Sequence, residues 1–255
     1  MRRLLRAAHR GQVQGQRLAA RQCGRRARLL EEDLVIPVTL LVMAKAPVPG
    51  LAKTRLAHTI GNHLAAVVAA AALLDTLDAV CLAGVRSRVV ALTGDLDSAA
   101  CSAEIRERLA DFTVIAQRGD TFADRLANAH ADAAAATDGA PVLQIGMDTP
   151  QVTGELLTRC AGRLLDAEAL LGMAVDGGWW VLGVRSAASA DCLRQVPMSQ
   201  SDTGALTRQA LQHKGLEVTM VDELADVDTA ADVDAVRRRC HPGARFPFAT
   251  AAAGL

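Results

Sequence analysis

The chain has 255 residues, the size of one α/β domain or of one domain with a tail. Half of its residues are apolar, but there are only two Trp, four Phe and no Tyr. A core built from Ala, Val and Leu suits helices packed closely on a parallel sheet, and so few aromatics argue against single-stranded nucleic-acid binding, which needs stacking platforms.

The formal net charge is zero, yet its distribution is uneven. Residues 1–34 hold nine Arg against Glu31, Glu32 and Asp33, a balance of +6 that leaves −6 for the remainder. An acidic body that handles phosphates needs a divalent cation to offset repulsion. The cysteines (Cys23, Cys81, Cys101, Cys160, Cys192, Cys240) form no CxxC pair and read as isolated reduced thiols of a cytoplasmic protein. The six His are scattered. The longest apolar run, Leu64 to Leu74, is broken by Asp75 and falls short of the roughly 18 residues of a membrane span. The Arg-rich start lacks the apolar stretch of a secretory signal.

Residues 1–34 read as a basic extension: a flexible arm, a short helix, or the product of a translation start placed too early. The ordered domain is expected over residues 35–241. Val35–Ala44 is a continuous apolar run of strand length, the pattern of a strand buried on both faces. A Pro/Gly-rich loop follows, then an Ala/Leu helix over Asn62–Leu82. Strands are expected at Arg88–Thr93, Phe112–Gln117 and Pro141–Gly146, with helices at Ala99–Leu109 and Phe122–Ala136 between them. Thr153 opens a helix that runs to Ala167, its hydroxyl serving as the N-cap. Leu170–Val175 and Trp179–Val184 flank Asp176-Gly177-Gly178 and read as two strands joined by a tight turn. Helical patterns over Thr203–His213 and Thr229–Arg239 surround a strand at Glu217–Val221. Residues 242–255, rich in Ala, Gly and Pro, read as a loose tail. Alternating strands and helices imply right-handed crossovers and a mostly parallel sheet, which places ligands beyond the carboxyl ends of the strands.

Three strand-ending loops carry unusual chemistry. The first, Lys45 to Leu56, brings Lys45, Lys53 and Arg55 together within eleven residues, although the whole chain has only three Lys. It is neither a Walker A loop nor GxGxxG, and it reads either as a phosphate cradle or as a solvated basic turn. The second places Asp148 at the end of an apolar strand. A lone carboxylate there suits Mg²⁺ or Mn²⁺ completed by substrate phosphates, or caps a turn. The third, Asp176-Gly177-Gly178-Trp179-Trp180, adds a carboxylate and two Trp pointing to opposite faces. Either one Trp stacks on a sugar or base, or both belong to the core.

The ordered motifs KAPVPGLAKTRL, QRGDTFADRLANA, IGMDTP, AVDGGWWVLGV and ADVDTAADV resemble a family of small bacterial GT-A-type glycosyltransferase-like proteins. Some of its members are named as arsenosugar-biosynthesis glycosyltransferases. The family is related to the molybdenum-cofactor and phospholactate guanylyltransferases. The likeness runs from Val35 to Arg239. It implies a Rossmann-like GT-A fold, the three-layer sandwich of nucleotide-diphospho-sugar transferases, with a mostly parallel mixed sheet. It also implies that Ala44, Lys45, Ala46, Pro47 and Gly50 line the nucleotide pocket and that Lys53 and Arg55 meet the phosphates. Gln117, Gly119 and Arg125 would border the nucleotide, Asp148 would bind the metal, and Asp176 would lie on the acceptor side. Asp226 and Asp228 would be mainly structural. GMDTP departs from a GSDCP-like run but keeps Asp148, whereas GDTFADRL departs from a DLGxR pattern, loses a glycine and leaves nucleotide or acceptor preference open.

The expected activity is therefore a cytoplasmic, Mg²⁺- or Mn²⁺-dependent transfer from a nucleoside-diphosphate sugar to a small-molecule acceptor, with neither nucleic acid nor a membrane span involved. Nucleotidyl transfer from a nucleoside triphosphate to a phosphorylated acceptor is the alternative, and a catalytically silent nucleotide-binding protein the third. No GxSxG elbow or Cys–His arrangement points to a hydrolase.

Overall fold

The computed structural model describes residues 35–225 and 230–255, with side chains from residue 232 in the second stretch. Pro37–Leu255 form one unit. The basic extension, residues 1–34, lies outside the described residues, as do Asp226 and Asp228.

Seven strands form one sheet: β1 (Ile36–Lys45), β2 (Val85–Thr93), β3 (Thr113–Ala116), β4 (Val142–Gly146), β5 (Ala169–Ala174), β6 (Trp179–Val184) and β7 (Val218–Leu224). Their spatial order is β3-β2-β1-β4-β6-β5-β7. β1–β4, β2–β3 and β5–β7 are parallel pairs, and β6 runs antiparallel to both its neighbours, β4 and β5. The continuous apolar run of β1 has its cause here: β1 is central, and Val38 through Ala44 are buried.

Eight α-helices are described: α1 (Thr54–Ile60), α2 (Asn62–Leu82), α3 (Ser102–Leu109), α4 (Phe122–Ala135), α5 (Gly154–Leu165), α6 (Thr203–His213), α7 (Ala230–Arg237) and α8 (Arg245–Ala252), besides a 3-10 helix over Ala187–Gln195. On one sheet face, Leu126 and Ala133 of α4 pack with Leu193 of the 3-10 helix, Leu211 of α6, and Leu41, Val142 and Leu182 of the sheet. Leu164 of α5 approaches Gly183 beside Leu143, side chains of the opposite face. This is the Rossmann-like α/β arrangement of GT-A transferases expected from the motifs.

α2 carries the core against which α5 closes, since a Cβ on Gly154 would run into the backbone of Leu82. Among the described residues it is also the one helix long and apolar enough to cross a membrane, a property that counting uninterrupted apolar residues missed because Asp75 and Asp78 interrupt the run. Within the fold, 78% of its most apolar stretch is buried, as in a core helix.

The expected loose tail is corrected: residues 245–252 are a helix, α8. Ala/Gly/Pro content reads as loose, but Pro247 falls in the first turn, where a helix tolerates it. Asp75 of α2 takes the place of a local cap, its carboxylate accepting from the backbone N–H groups of Arg245 (2.9 Å) and Phe246 (2.8 Å). Burial pushes the Asp75 carboxyl up, against the pull of those donors and of the Arg245 guanidinium. Phe246 is fully buried against Leu56, Val68, Ala72, Val233 and Val236, so α8 closes the hydrophobic cluster under α1 and α2. Phe246→Ala is expected to lower the unfolding free energy by about 3–5 kcal/mol, measured by urea denaturation; a loss below about 1 kcal/mol would show that the tail is not part of the core.

Candidate functional site

The carboxyl ends of β1 and β4 lie side by side, with Met43 paired to Gly146. Beyond β1 the chain is tied down by backbone bonds, Ala46 N–H to Thr93 (2.8 Å), Val48 N–H to Ala46 (2.8 Å) and Ala100 N–H to Pro47 (3.0 Å). The Lys45 ammonium donates to the Leu51 carbonyl at 2.9 Å, and the Lys45 N–H reaches the Met147 sulfur at 3.1 Å. Lys53 then adopts a left-handed conformation (φ 46°, ψ 50°) at the entrance to α1. That backbone is costly for a side chain bearing a Cβ and belongs to sites where position matters more than local stability.

The consequence is one contact. Lys53 Nζ lies 2.8 Å from Asp148 Oδ2, with the two side chains 11% and 35% exposed. Asp148 sits just past β4 over Gly146, where a Cβ would come within 2.8 Å of Asp148 Oδ1, so a larger residue there would make the carboxylate shift. Thr76 of the core helix α2 donates to the carbonyl of the preceding residue, Met147, at 3.4 Å.

A cleft of about 980 Å³ opens around this pair. Its wall brings together Lys45, Lys53, Arg55, Asp148 and Asp176, five of the residues singled out from sequence. Asp176 is exposed, and its Oδ1 accepts from Gly178 N–H at 2.8 Å, shaping its own turn. Gly177 (φ +89°) is required at that turn because a Cβ would collide with the Ser201 carbonyl; its own carbonyl accepts from Gly204 N–H at 2.8 Å. The hairpin and the segment leading into α6 are thereby joined backbone to backbone.

The two Trp divide as strand alternation requires. Trp180 is buried and donates through Nε1 to the Asp222 carbonyl at 2.9 Å, whereas Trp179 lines the cleft.

Ala44, Ala46, Pro47, Gly50, Gln117, Gly119 and Arg125, expected to border a nucleotide, are not in the cleft wall. Ala44, Ala46 and Pro47 are buried beneath the loop, and Gly50 turns it. Gln117 spends its amide on the carbonyls of Ala44 (2.8 Å) and Ala91 (2.9 Å), bracing β1 against β2. Gly119 leads into the capping box of α4, formed by Thr121 and Asp124. Arg125 lies on α4 with Nε buried and without a hydrogen bond among the described residues.

The wall also holds Ser201 and Thr203, from a short run that resembles acceptor-side loops of the guanylyltransferases, and Gln144, Met198, Ser199 and Gln200, which no sequence motif marked. For Gln144 the signal was present, a single amide inside the apolar strand PVLQIG. Behind it, on α4, His130 is fully buried, and neither ring nitrogen has a hydrogen bond of ordinary geometry among the described residues. Burial drives the imidazole down to about 4, opposed by the Gln144 side chain.

Five cysteines, Cys81, Cys101, Cys160, Cys192 and Cys240, are free, and burial raises Cys160 to about 11 and Cys240 to about 12, which makes them poor nucleophiles. Among the described residues no group of three or more His, Cys, Asp or Glu is placed to hold a metal. Asp148 fits a divalent ion as a single carboxylate, the arrangement Mg²⁺ uses when phosphates and water fill its remaining positions.

The fold that positions this cleft is shared with solved structures. A protein from Desulfovibrio desulfuricans described as a nucleotide-diphospho-sugar transferase superposes with TM-score 0.72 at 23% identity, covering 86% of this chain and 96% of its own. Rv0371c of Mycobacterium tuberculosis superposes with TM-score 0.50 at 20% identity, covering 79% and 98%. The same protein has been solved with manganese (TM-score 0.48, 20% identity, 78% and 97% covered). At these identities the likeness establishes the fold. More particularly, residues 76–200 match the family described as an uncharacterized protein conserved in bacteria, DUF2064. No curated protein matches the chain.

A neutral buried His130 adds a pH dependence to stability. Its unfolded-state value is near 6.5 and its folded value about 4, so its contribution is fully present above pH 6.5 and lost as pH falls towards 4. Wild type is expected to lose roughly 3 kcal/mol more over that range than His130→Leu, read from urea unfolding at pH 7 and pH 4; parallel losses in both proteins would refute the buried neutral ring.

Proposed function

We propose that the chain transfers a glycosyl group from a nucleoside-diphosphate sugar to a small-molecule acceptor with the help of Mg²⁺ or Mn²⁺. The observation that carries this reading is the Lys53–Asp148 contact inside a cleft that also holds Arg55 and Asp176. A cation and a carboxylate at 2.8 Å, at the carboxyl ends of adjacent parallel strands, are the two partners a metal diphosphate needs. Bound phosphate oxygens would compete with Asp148 for the Lys53 ammonium, and the freed Asp148 carboxylate would be the residue to hold a divalent ion, which would supply Lewis-acid charge there.

In the transfer, the acceptor oxygen forms a bond to the anomeric carbon while the bond from that carbon to the diphosphate breaks. Lys53 and Arg55 hold the charge that grows on the departing diphosphate. The acceptor's proton passes to the exposed Asp176 carboxylate, whose Oδ1 is already fixed by the Gly178 N–H. The arsenosugar-type likeness of the motifs agrees with a glycosyl donor, and the isolated cysteines agree with a cytoplasmic setting.

In thermal-shift measurements, Mn²⁺ together with UDP- or GDP-sugars is expected to raise the melting temperature of the wild type and to leave Asp148→Asn unmoved. Stabilisation by GTP or CTP but by no nucleotide-sugar would turn the assignment to nucleotidyl transfer, which the same cationic loop serves. Undiminished metal-dependent turnover by Asp148→Asn would remove the aspartate from the site.

A further inference from the structure

Lys45, Lys53 and Lys214 are the chain's lysines, and their ammonium groups rest on unlike partners. Lys45 donates to the Leu51 carbonyl at 2.9 Å and Lys214 to the Ala188 carbonyl at 3.2 Å, both neutral acceptors. Lys53 lies on a carboxylate, Asp148 Oδ2, at 2.8 Å. That contact is not made cheaply, since Lys53 holds a left-handed backbone at the entrance to α1 and its long side chain is fixed with 11% of its surface exposed. An ion pair with a partner open to solvent contributes little stability, so the pair is better accounted for by what it does to ligands.

Asp148 is the carboxylate that the proposed activity assigns to a divalent ion, and the ammonium already stands against it. A carboxylate oxygen that holds Mg²⁺ lies about 2.1 Å from the ion. With Lys53 Nζ 2.8 Å from the same oxygen, the two cations would be within about 5 Å of each other, in a wall that also carries Lys45 and Arg55. The second oxygen offers no way round, because Oδ1 lies against Gly146 and shares the charge that Lys53 neutralises. Lys53 therefore has to leave before Asp148 can hold a metal, and a partly desolvated ammonium leaves for another anion. The converse also holds. An anion that draws Lys53 away leaves Asp148 as an uncompensated negative charge beside it unless a cation fills the gap.

We infer that Lys53 is a latch on the metal site: it keeps Asp148 closed to a divalent ion until a polyanion takes up the ammonium, so that ion and polyanion are held well together and poorly alone. The inference rests on the proposed reading in one respect, that Asp148 is the metal ligand, and it applies equally to a diphosphate and a triphosphate. The effect is reciprocal: the factor by which the polyanion raises affinity for the ion is the factor by which the ion raises affinity for the polyanion.

The test uses the full chain with Mn²⁺ and no nucleotide, the free ion being followed by electron paramagnetic resonance. Dissociation constants are measured for the wild type, Lys53→Met, Asp148→Asn, the double variant of these two, and Lys45→Met. Lys53→Met is expected to hold Mn²⁺ about tenfold tighter than the wild type, a factor usual for coupled sites, and the double variant to lose that gain. Lys45→Met removes an equal charge from the same wall without uncovering Asp148, and is expected to change the constant less than about threefold because it acts only through screened attraction. Inorganic pyrophosphate should tighten Mn²⁺ binding by a larger factor in the wild type than in Lys53→Met.

Equal Mn²⁺ affinity in the wild type and Lys53→Met would overturn the inference, as would a gain kept in the double variant or matched by Lys45→Met. Should Lys53→Met not fold, the wild type decides through ¹⁵N NMR of its lysine ammonium groups, assigned with Lys45→Met and Lys214→Met. The Lys53 signal is expected to stay in place with Mg²⁺ alone and to move with Mg²⁺ and pyrophosphate together; movement with Mg²⁺ alone, or none with both, would overturn the latch. Tight Mn²⁺ binding by the wild type that Asp148→Asn abolishes would sink the latch and leave the transferase reading standing. Failure of every protein to bind Mn²⁺, even with pyrophosphate, would take the metal out of that reading as well.

Discussion

The geometry of the site depends on a lysine being held against an aspartate by two neighbouring strands. β1 and β4 run parallel in a register that ends Met43 opposite Gly146, and the chain beyond each end is allowed few places to go. On the β4 side, Gly146 leaves room for the Asp148 carboxylate to fold over it. On the β1 side, the loop is laced to Thr93, Leu51 and Met147 before Lys53 takes up its left-handed backbone. A half-buried ammonium and carboxylate each cost desolvation, and each leaves an uncompensated charge if the other is removed. Such a pair is poor as a stabiliser and good as a site, because a polyanion and a cation together can replace it contact for contact.

Much of the frame was legible in the sequence, for identifiable reasons. β1 is buried on both faces, so its apolar run is unbroken and cannot be read as amphipathic. The bounds of α2 were marked by Asn62 and by the end of the Ala/Leu pattern at Leu82, and Thr153 caps α5 by accepting from Leu156 N–H at 3.1 Å. Five site residues lie in one wall because chain order along an α/β sheet fixes which loops share an edge.

What was missed depends on partners distant in sequence. Nothing within residues 242–255 announces a helix; its cap is a carboxylate 170 residues earlier. Gln117, the last residue of an expected strand and a nucleotide neighbour by resemblance, gives its side-chain N–H groups to the carbonyls of Ala44 and Ala91, a bracing role visible only once β1 and β2 are neighbours. α1 and the 3-10 helix are too short for a periodic pattern to distinguish them from loop.

Gln144 and His130 show the converse. A polar residue inside an apolar strand and another on the buried face of a helix break the local pattern without breaking the fold, and such breaks concentrate where function overrides packing. The two side chains face each other, and the Gln144 amide favours the charged imidazole while burial disfavours it. The cleft wall joins the cations Lys45, Lys53 and Arg55 to the apolar side chains of Phe122, Val175 and Trp179 and to the carboxylates Asp148 and Asp176 in one concavity. In a chain with only six aromatic residues, two of them, Phe122 and Trp179, stand in that one wall.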